Sequence, residues 1–373
     1  GLLLAALALV FFLTFSIAGP VQDWLDAHVV TAVADGLRAL LAGAPSWVSG
    51  LLADGIVAGA GIVLTFVPIL LVFFLALGVL EDTGYQTRMA YVMDRYMHRM
   101  GLHGKSFLPL MLGFGCNVPA VMGARVIESR PARLITILIT PLVPCSARLL
   151  VLAFLVPVFF PGRPTLVASG LVAVNLVVLG AVGLALDRWV LKRERVPFIM
   201  EMPLYHVPNP RTILLYALRN VRSFLSRAAT IIVLVSALVW ALGQFPGPEL
   251  DDSLLASFGR SLAPVGDLMG LDWRLIVATL TGLIAKENAL ATLGILYGSG
   301  TDGLAAAVSS AVTPASALAF LVVNMLFVPC VATIAAVRQE TGSWRWTLAS
   351  IGLMLGVSIA GGVAAFQLAQ GRL

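Results

Sequence analysis

Two cysteines interrupt segments that are otherwise continuously apolar. Cys116 lies in Gly-Phe-Gly-Cys-Asn-Val-Pro-Ala at 113–120, and Cys330 lies in Val-Pro-Cys-Val-Ala-Thr at 328–333. Glycine and proline break a helix, and a lipid bilayer tolerates the freed backbone groups only where they line a cavity or contact protein. Two such breaks beside a sulfur atom therefore predict a site at membrane depth, as in transporters whose interrupted helices surround their substrate.

Sulfur, carboxylate and amide groups are the candidate ligands. Thiol sulfur suits late first-row metals, and carboxylate and amide oxygens add harder donors, so the mixture favours a divalent ion such as Fe(II). A lone membrane cysteine is more often a small apolar residue, but here every cysteine adjoins an asparagine or a proline. The sequence has no CxxC pair, which disfavours structural zinc. The predicted metal-binding residues are Cys116, Cys330, Glu287, Glu81, Asn117 and Cys145.

Charged residues also lie inside apolar runs. Lys286 and Glu287 fall in the middle of one run, where a charge costs at least ~2.5 kcal/mol unless it has a partner or water. Glu287 could serve an ion or could only balance Lys286, for which a structural role is the better interpretation. Arg148 follows Cys145 by three residues, and we expect it to pair with an acid and act structurally.

The composition is that of a membrane protein. The chain is 59% hydrophobic and 12% charged, with a mean hydropathy of +0.97. A span needs ~20 apolar residues. Such runs occur near 1–19, 54–80, 131–160, 165–187, 228–245, 272–297, 313–337 and 346–370. We predict an all-α polytopic membrane helix bundle with two pseudo-repeated gate regions, broken or re-entrant helices and interfacial amphipathic helices. Because the chain starts inside an apolar run without an initiator methionine, we expect it to be a piece of a longer protein.

Basic residues mark the cytoplasmic loops. Although the formal charge is +5, lysine and arginine concentrate in 81–105, 125–133 and 187–227, which indicates membrane topology and not nucleic-acid binding. If the first two of these segments are both cytoplasmic, residues 108–124 must enter the membrane and return. The turn is expected near 115–117, so the charge pattern predicts a re-entrant segment with Cys116 at its tip.

The chain divides into two similar halves around a linker. We predict a first membrane half at 1–197 with gate 1, whose re-entrant segment covers about 105–125. A cytoplasmic linker and surface helix follow at 198–227, and a second membrane half at 228–373 contains gate 2 at about 272–340. Each half offers an acid and then a broken cysteine segment, which pairs Cys116 with Cys330 and suggests duplication. An arginine and an acid follow each of these cysteines, namely Arg125 and Glu128 in the first half and Arg338 and Glu340 in the second.

Ordered motifs over nearly the whole chain resemble the membrane domain of the ferrous iron transport protein B family. They lie at 80–85 (LEDTGY), 101–106 (GLHGKS), 113–120, 145–149 (CSARL), 200–205 (MEMPLY), 285–288 (AKEN), 329–333 (PCVAT) and 340–344 (ETGSW). The resemblance implies Fe(II) uptake across the bacterial cytoplasmic membrane by a multi-pass protein. It implies a Cys/Glu/Asn-lined path between two gate repeats, with Fe(II) as substrate and no nucleotide bound to this chain. It also implies control by a cytoplasmic GTPase domain of the same protein and a small cytoplasmic accessory protein, and it allows a homo-oligomer.

Three other functions stay open. A gate-type carrier of a small organic solute such as a nucleoside should offer aromatic stacking and paired amides at depth, where the break segments offer sulfur. A Mn(II) or Zn(II) transporter would use the same donors as an iron transporter. A membrane enzyme or assembly factor lacks support, since no HExxH motif or intramembrane acid pair is present. The Gly-Lys-Ser at 104–106 is not a phosphate loop, because the required first glycine is Arg99.

Overall fold

Helices account for all regular structure in the described part of the chain. The computed structural model describes residues 2–41, 43, 45–99, 102, 104–189, 207–244, 253–284, 286, 288–297 and 300–371. The α-helices are α1 Leu2–Leu25, α2 Thr31–Leu40, α3 Ser46–Gly50, α4 Ala58–Asp82, α5 Tyr85–Arg99, α6 Phe107–Gly113, α7 Asn117–Gly123, α8 Arg130–Ile139, α9 Ser146–Phe159, α10 Pro164–Trp189, α11 Pro210–Gln244, α12 Leu254–Ser261, α13 Ala263–Asp267, α14 Trp273–Thr281, α15 Asn288–Leu296, α16 Gly300–Ala311, α17 Pro314–Leu326, α18 Val331–Thr341 and α19 Trp344–Gln370. The predicted all-α class is confirmed.

Five helical stretches in the described residues are long and apolar enough to cross a bilayer. They are Trp47–Asp82, Arg130–Phe159, Pro164–Trp189, Pro314–Thr341 and Trp344–Gln370. Each overlaps an apolar run that the sequence predicts as a span, so the polytopic bundle is confirmed. Residues 228–244 of the predicted run at 228–245 form the apolar end of α11, and residues 2–19 of the run at 1–19 lie within α1.

The run at 272–297 is a helical hairpin, and the prediction of one continuous span there is wrong. A straight helix of this length would extend for about 39 Å. Instead α14 and α15 pack against each other, and the hydroxyl of Tyr297 donates a hydrogen bond of 3.2 Å to Asp272. Midway along, the hydroxyls of Thr281 and Thr292 are 2.9 Å apart. Apolar composition alone cannot distinguish a crossing helix from two half-length helices that return to the same end.

A matching hairpin occurs in the first half of the chain. Helices α6 and α7 are seven residues each and pack together. Seven residues extend only about 10 Å, a third of the bilayer core. Lys105 precedes the hairpin and Glu128 follows it, and the atoms Nζ and Oε1 of this pair are 2.8 Å apart. This geometry supports the re-entrant segment expected there, while the side of the membrane that it enters from stays a prediction.

Each hairpin binds the interrupted span that follows it. In the first half, α8 and α9 are separated by a break, and the Ser146 amide donates to the carbonyl of Gly115 at the hairpin tip (3.3 Å). In the second half, α17 and α18 are separated in the same way, and the Val331 amide donates to the Leu283 carbonyl (2.8 Å). Since Ser146 and Val331 each follow a cysteine, the counterpart of Cys330 is Cys145. The pairing of Cys116 with Cys330 that the sequence suggests is therefore wrong.

An ion pair joins the ends of the two repeats. The guanidinium of Arg125 donates two hydrogen bonds of 2.8 and 2.9 Å from Nε, and one of 2.5 Å from Nη2, to the carboxylate of Glu340. Glu340 is 8% exposed, and its hydrogen bonds raise the pKa of Arg125 above the ordinary value. Arg125 therefore pairs with Glu340, the acid of the other repeat. Glu128, the acid of its own repeat, binds Lys105 instead.

We expect the two flanks of the α6–α7 hairpin to be accessible from the cytoplasmic side only. In a background without native cysteine, Lys105→Cys and Ser129→Cys should react with an impermeant maleimide in inside-out vesicles and not in intact cells. Arg163→Cys, in the exposed loop between α9 and α10, is the control and should label from the opposite side. Reaction of positions 105 and 129 from opposite sides would contradict a re-entrant hairpin.

Reversing the charge of Arg125 should loosen the contact between the repeats. Arg125→Glu places a second carboxylate beside Glu340, and we expect a loss of about 1–3 kcal/mol of stability because a largely buried acceptor loses its donors. The double variant Arg125→Glu/Glu340→Arg should recover more than half of that loss. Thermal unfolding in detergent measures both, with the exposed Arg130→Glu as the matched control. Equal melting of Arg125→Glu and Arg130→Glu would show that the pair does not stabilise the interface.

Candidate metal-binding cavity

All three cysteines line one cavity of about 340 Å³. Both hairpin tips and both interrupted spans contribute to its wall, and α1, α4 and α11 close it. The lining residues with polar or sulfur-containing side chains are Gln22, Asp23, Cys116, Asn117, Cys145, Ser146, Arg148, Lys286, Cys330 and Thr333. Four of the six predicted metal-binding residues, namely Cys116, Asn117, Cys145 and Cys330, are thus brought together by the fold.

Each cysteine is the residue that immediately precedes a helix. Helices α7, α9 and α18 begin one residue after Cys116, Cys145 and Cys330, whose own backbones are extended (φ −150°, −75° and −59°). None of the three makes a side-chain capping hydrogen bond to the first turn of its helix. All three sulfur atoms thus lie beside a helix N-terminus, which carries a partial positive charge.

The turn before Cys116 requires a residue without a side chain. The ring of Phe73 on α4 packs directly against Gly115, so a Cβ atom at this position would overlap the ring. Gly113 is similarly enclosed, with Val143 at its side. The glycines that flag a helix break in the sequence therefore allow the hairpin tip to approach both α4 and the interrupted span.

Arg148 binds the carbonyls that both interruptions leave free. Its side chain is 1% exposed, and Nη1 donates to the carbonyls of Pro141 (2.9 Å) and Val143 (3.4 Å) in the first break. Nη2 donates to the carbonyl of Phe327 in the second break (2.5 Å). Sequence reasoning expects an acid as the partner of Arg148, but among the described residues its hydrogen-bond partners are backbone carbonyls. The expectation is wrong because helix breaks, which present several carbonyls at once, satisfy a guanidinium as a carboxylate would.

The side-chain amide of Asn117 also binds backbone carbonyls at the first break. The side chain is 3% exposed, and its nitrogen donates to the carbonyl of Val143 (3.3 Å) or, with the amide rotated, to those of Gly113 (3.2 Å) and Thr140 (3.3 Å). In both orientations Asn117 holds the hairpin tip and the first break together. Its nitrogen is therefore engaged by the scaffold, and this makes a positioning role the better interpretation of the residue.

The two predicted acids do not lie among the described lining residues. Glu81 is near the C-terminal end of α4, where its carboxylate interacts with the hydroxyl of Tyr216. Glu287 lies outside the described residues. Its neighbour Lys286 is 3% exposed and lines the cavity, with its ammonium 5.1 Å above the ring of Phe327.

Thr333 and Asp23 are cavity residues that the sequence analysis missed. The Thr333 hydroxyl is 3.2 Å from the sulfur of Cys330, and the side chain is 1% exposed. The sequence contained a signal for Thr333, because the residue before a helix and the residue three positions later face each other in the first turn. Asp23 at the end of α1 reaches the cavity by tertiary packing, and no spacing in the sequence indicates it.

The candidate metal ligands described in the cavity do not form a cluster. Among the described residues, no three His, Cys, Asp or Glu side chains are close enough to hold an ion together.

Two protein-family models match most of the helices described above. A model of gate domains described as "Nucleoside recognition" matches residues 63–159 and 225–344, which contain both hairpins and both interrupted spans. A model described as "Ferrous iron transport protein B C terminus" matches residues 168–219.

Similar proteins match nearly the full length of the chain. The chain is 38% identical over 360 residues to an Fe(2+) transporter FeoB of Staphylococcus aureus, with 93% of the chain and 54% of the relative covered. It is 35% identical to an Fe(2+) transporter FeoB of Methanocaldococcus jannaschii, with 94% and 54% covered. It is 33% identical to an Fe(2+) transport protein A/FeoB fusion protein of Porphyromonas gingivalis, with 94% and 47% covered. No solved structure matches the chain.

These matches, with a polytopic bundle whose interrupted helices surround a cavity, define a membrane protein of the gate class. The chain belongs to the ferrous iron transport protein B family and represents its transmembrane part. It spans about half the length of the relatives it matches. It is accordingly a multi-pass protein of the cytoplasmic membrane.

Replacing Arg148 should destabilise the protein, because backbone carbonyls of both breaks would lose a charged donor. We expect Arg148→Met to cost at least about 2 kcal/mol, since each buried unsatisfied acceptor costs about 1–3 kcal/mol. Arg148→Lys should cost less, because an ammonium can reach part of the same set. The exposed Arg163→Met is the matched control and should stay within about 0.5 kcal/mol of the parent protein. Thermal unfolding in detergent provides the comparison, and similar curves for the two methionine variants would contradict the clamp.

Proposed function

We propose that this chain provides the membrane path for uptake of Fe(II). The observation that carries the proposal is the cavity in which cysteines from both repeats lie at helix breaks. Sulfur at the start of a helix suits a late first-row divalent ion, and interrupted helices at a repeat interface are where transporters bind substrate. The relatives named as Fe(2+) transporters support the same substrate.

In the proposed path, Cys116, Cys145 and Cys330 exchange the ion as it crosses the cavity. Sulfur offers Fe(II) a soft ligand, and the guanidinium of Arg148 lies near Cys145 and Cys330. Asn117 positions the first hairpin tip. Glu81 is proposed for the cytoplasmic end of the path, and Glu287 beside Lys286 is proposed for the second hairpin.

Control by a cytoplasmic GTPase domain of the same protein is part of the proposal. The relatives are about twice as long as the matched region, which leaves room for such a domain. A small cytoplasmic accessory protein is supported by the Porphyromonas gingivalis relative, whose name joins an Fe(2+) transport protein A to the transporter. A homo-oligomer stays a prediction.

Transport of a nucleoside is the second candidate, because the matched gate model is described as "Nucleoside recognition". A nucleoside base is usually held by aromatic stacking and paired hydrogen bonds. No Phe, Tyr or Trp occurs among the described lining residues, and three sulfur atoms do. The cavity therefore favours a metal ion. Mn(II) and Zn(II) remain competitors of Fe(II), since they accept the same ligands.

Removal of the soft donors should abolish uptake without unfolding the protein. Cys116→Ser and Cys330→Ser keep the side-chain volume and lose the sulfur, so we expect Fe(II) uptake into proteoliposomes to fall at least about tenfold, or ~1.4 kcal/mol. Thermal unfolding should be nearly unchanged. Ser358→Ala, which is buried outside the cavity, is the control and should transport normally.

The same assay discriminates between the candidate substrates. Excess Mn(II), Zn(II) or a nucleoside is added to the parent protein, and inhibition identifies the competitor that shares the path. Normal Fe(II) uptake by both serine variants would eliminate the sulfur path. Uptake of a labelled nucleoside that survives in both serine variants would favour the organic-solute carrier.

A further inference from the structure

Cys330 and Thr333 are lining residues of the cavity whose side chains are in hydrogen-bond contact. Sγ of Cys330 is 3.2 Å from Oγ1 of Thr333. The first turn of α18 fixes this relation, because the amide of Thr333 donates to the carbonyl of Cys330 (2.9 Å). With 1% exposure, the Thr333 side chain has little freedom to move away.

The separation of the two atoms fits neighbouring ligands of one metal ion. Sulfur binds a first-row divalent ion at about 2.3 Å and oxygen at about 2.1 Å. Two such ligands at a right angle around the ion are about 3.1 Å apart, by the geometry of these bond lengths. The observed 3.2 Å requires almost no rearrangement of the helix start.

We propose that Cys330 and Thr333 together bind the transported divalent ion as a sulfur–oxygen pair, an inference that rests on the proposed function. The hydroxyl keeps its proton and donates a lone pair, so the ion gains a ligand without gaining charge. A neutral hydroxyl binds more weakly than a carboxylate, and a path must release what it binds. Thr333 thus adds affinity while leaving the ion free to move on.

The first repeat differs from the second at the same position. Ser146 and Val331 make equivalent contacts, so the residue three positions after Cys145 corresponds to Thr333, and it is Arg148. A guanidinium has no lone pair to offer a metal. The second repeat therefore supplies the ligand pair, and the first supplies the cation that holds the breaks together.

The experiment uses Co(II) as the probe, titrated without oxygen into the full-length protein in lipid nanodiscs. Binding to sulfur produces a charge-transfer absorption, and the d–d bands report the other ligands. For Thr333→Val we expect the charge-transfer band to remain, the d–d bands to change and the apparent affinity to fall about tenfold. Fe(II) uptake should fall in parallel. Thr333→Ser restores the hydroxyl and should recover both spectrum and affinity.

Thr279→Val is the matched control, because Thr279 is buried outside the cavity and its hydroxyl binds only the Leu275 carbonyl among described residues (2.8 Å). If Thr333→Val fails to fold, Thr333→Ala is measured in its place. Unchanged d–d bands in the variant without the hydroxyl would overturn ligation by Thr333, even if affinity falls. Absence of the charge-transfer band from the parent protein, or a Cys330→Ser spectrum that matches the parent spectrum in both charge-transfer and d–d bands, would instead refute the role of Cys330.

Discussion

The hydrogen bonds of Arg148 to carbonyls of both helix breaks are the interaction on which the rest of the structure depends. An interrupted span leaves backbone carbonyls without partners, and in hydrocarbon each such group costs several kcal/mol. The fully buried guanidinium of Arg148 donates to the carbonyls of Pro141, Val143 and Phe327, and so joins the two repeats at their helix breaks. Arg148 thus satisfies carbonyls of both breaks while it lines the cavity between them.

Two cationic side chains, Arg148 and Lys286, line the cavity. Arg148 lies near Cys145 and Cys330, and the ammonium of Lys286 lies over the ring of Phe327, whose carbonyl Arg148 binds. Phe327 therefore links both cations to the second break. Under the proposed function, the three sulfur atoms of the wall would favour late first-row metals over ions that prefer oxygen ligands alone.

The two repeats share a backbone plan and differ in their side chains. Each consists of a short helical hairpin whose tip accepts a hydrogen bond from the amide that follows a cysteine. On that common frame, the first repeat carries a cysteine at the hairpin tip and an arginine behind the break. The second repeat carries Lys286 near its tip and Thr333 behind the break. The contact between Arg125 and Glu340, which are not among the residues that line the cavity, also joins the two repeats.

Local features were sufficient for the sequence to determine the membrane class and the helix breaks beside the cysteines. These features are apolar run length, basic clusters, and the glycine or proline beside Cys116 and Cys330. Each involves only residues that are near one another in the chain, so it can be interpreted without knowledge of the fold. Tertiary structure decided the rest. Whether 272–297 crosses or returns depends on the contact between its two ends, and the equivalence of Cys145 with Cys330 depends on a hydrogen bond between segments. The cavity itself lies where two hairpin tips and two helix breaks from distant parts of the chain meet, and only tertiary packing brings them together.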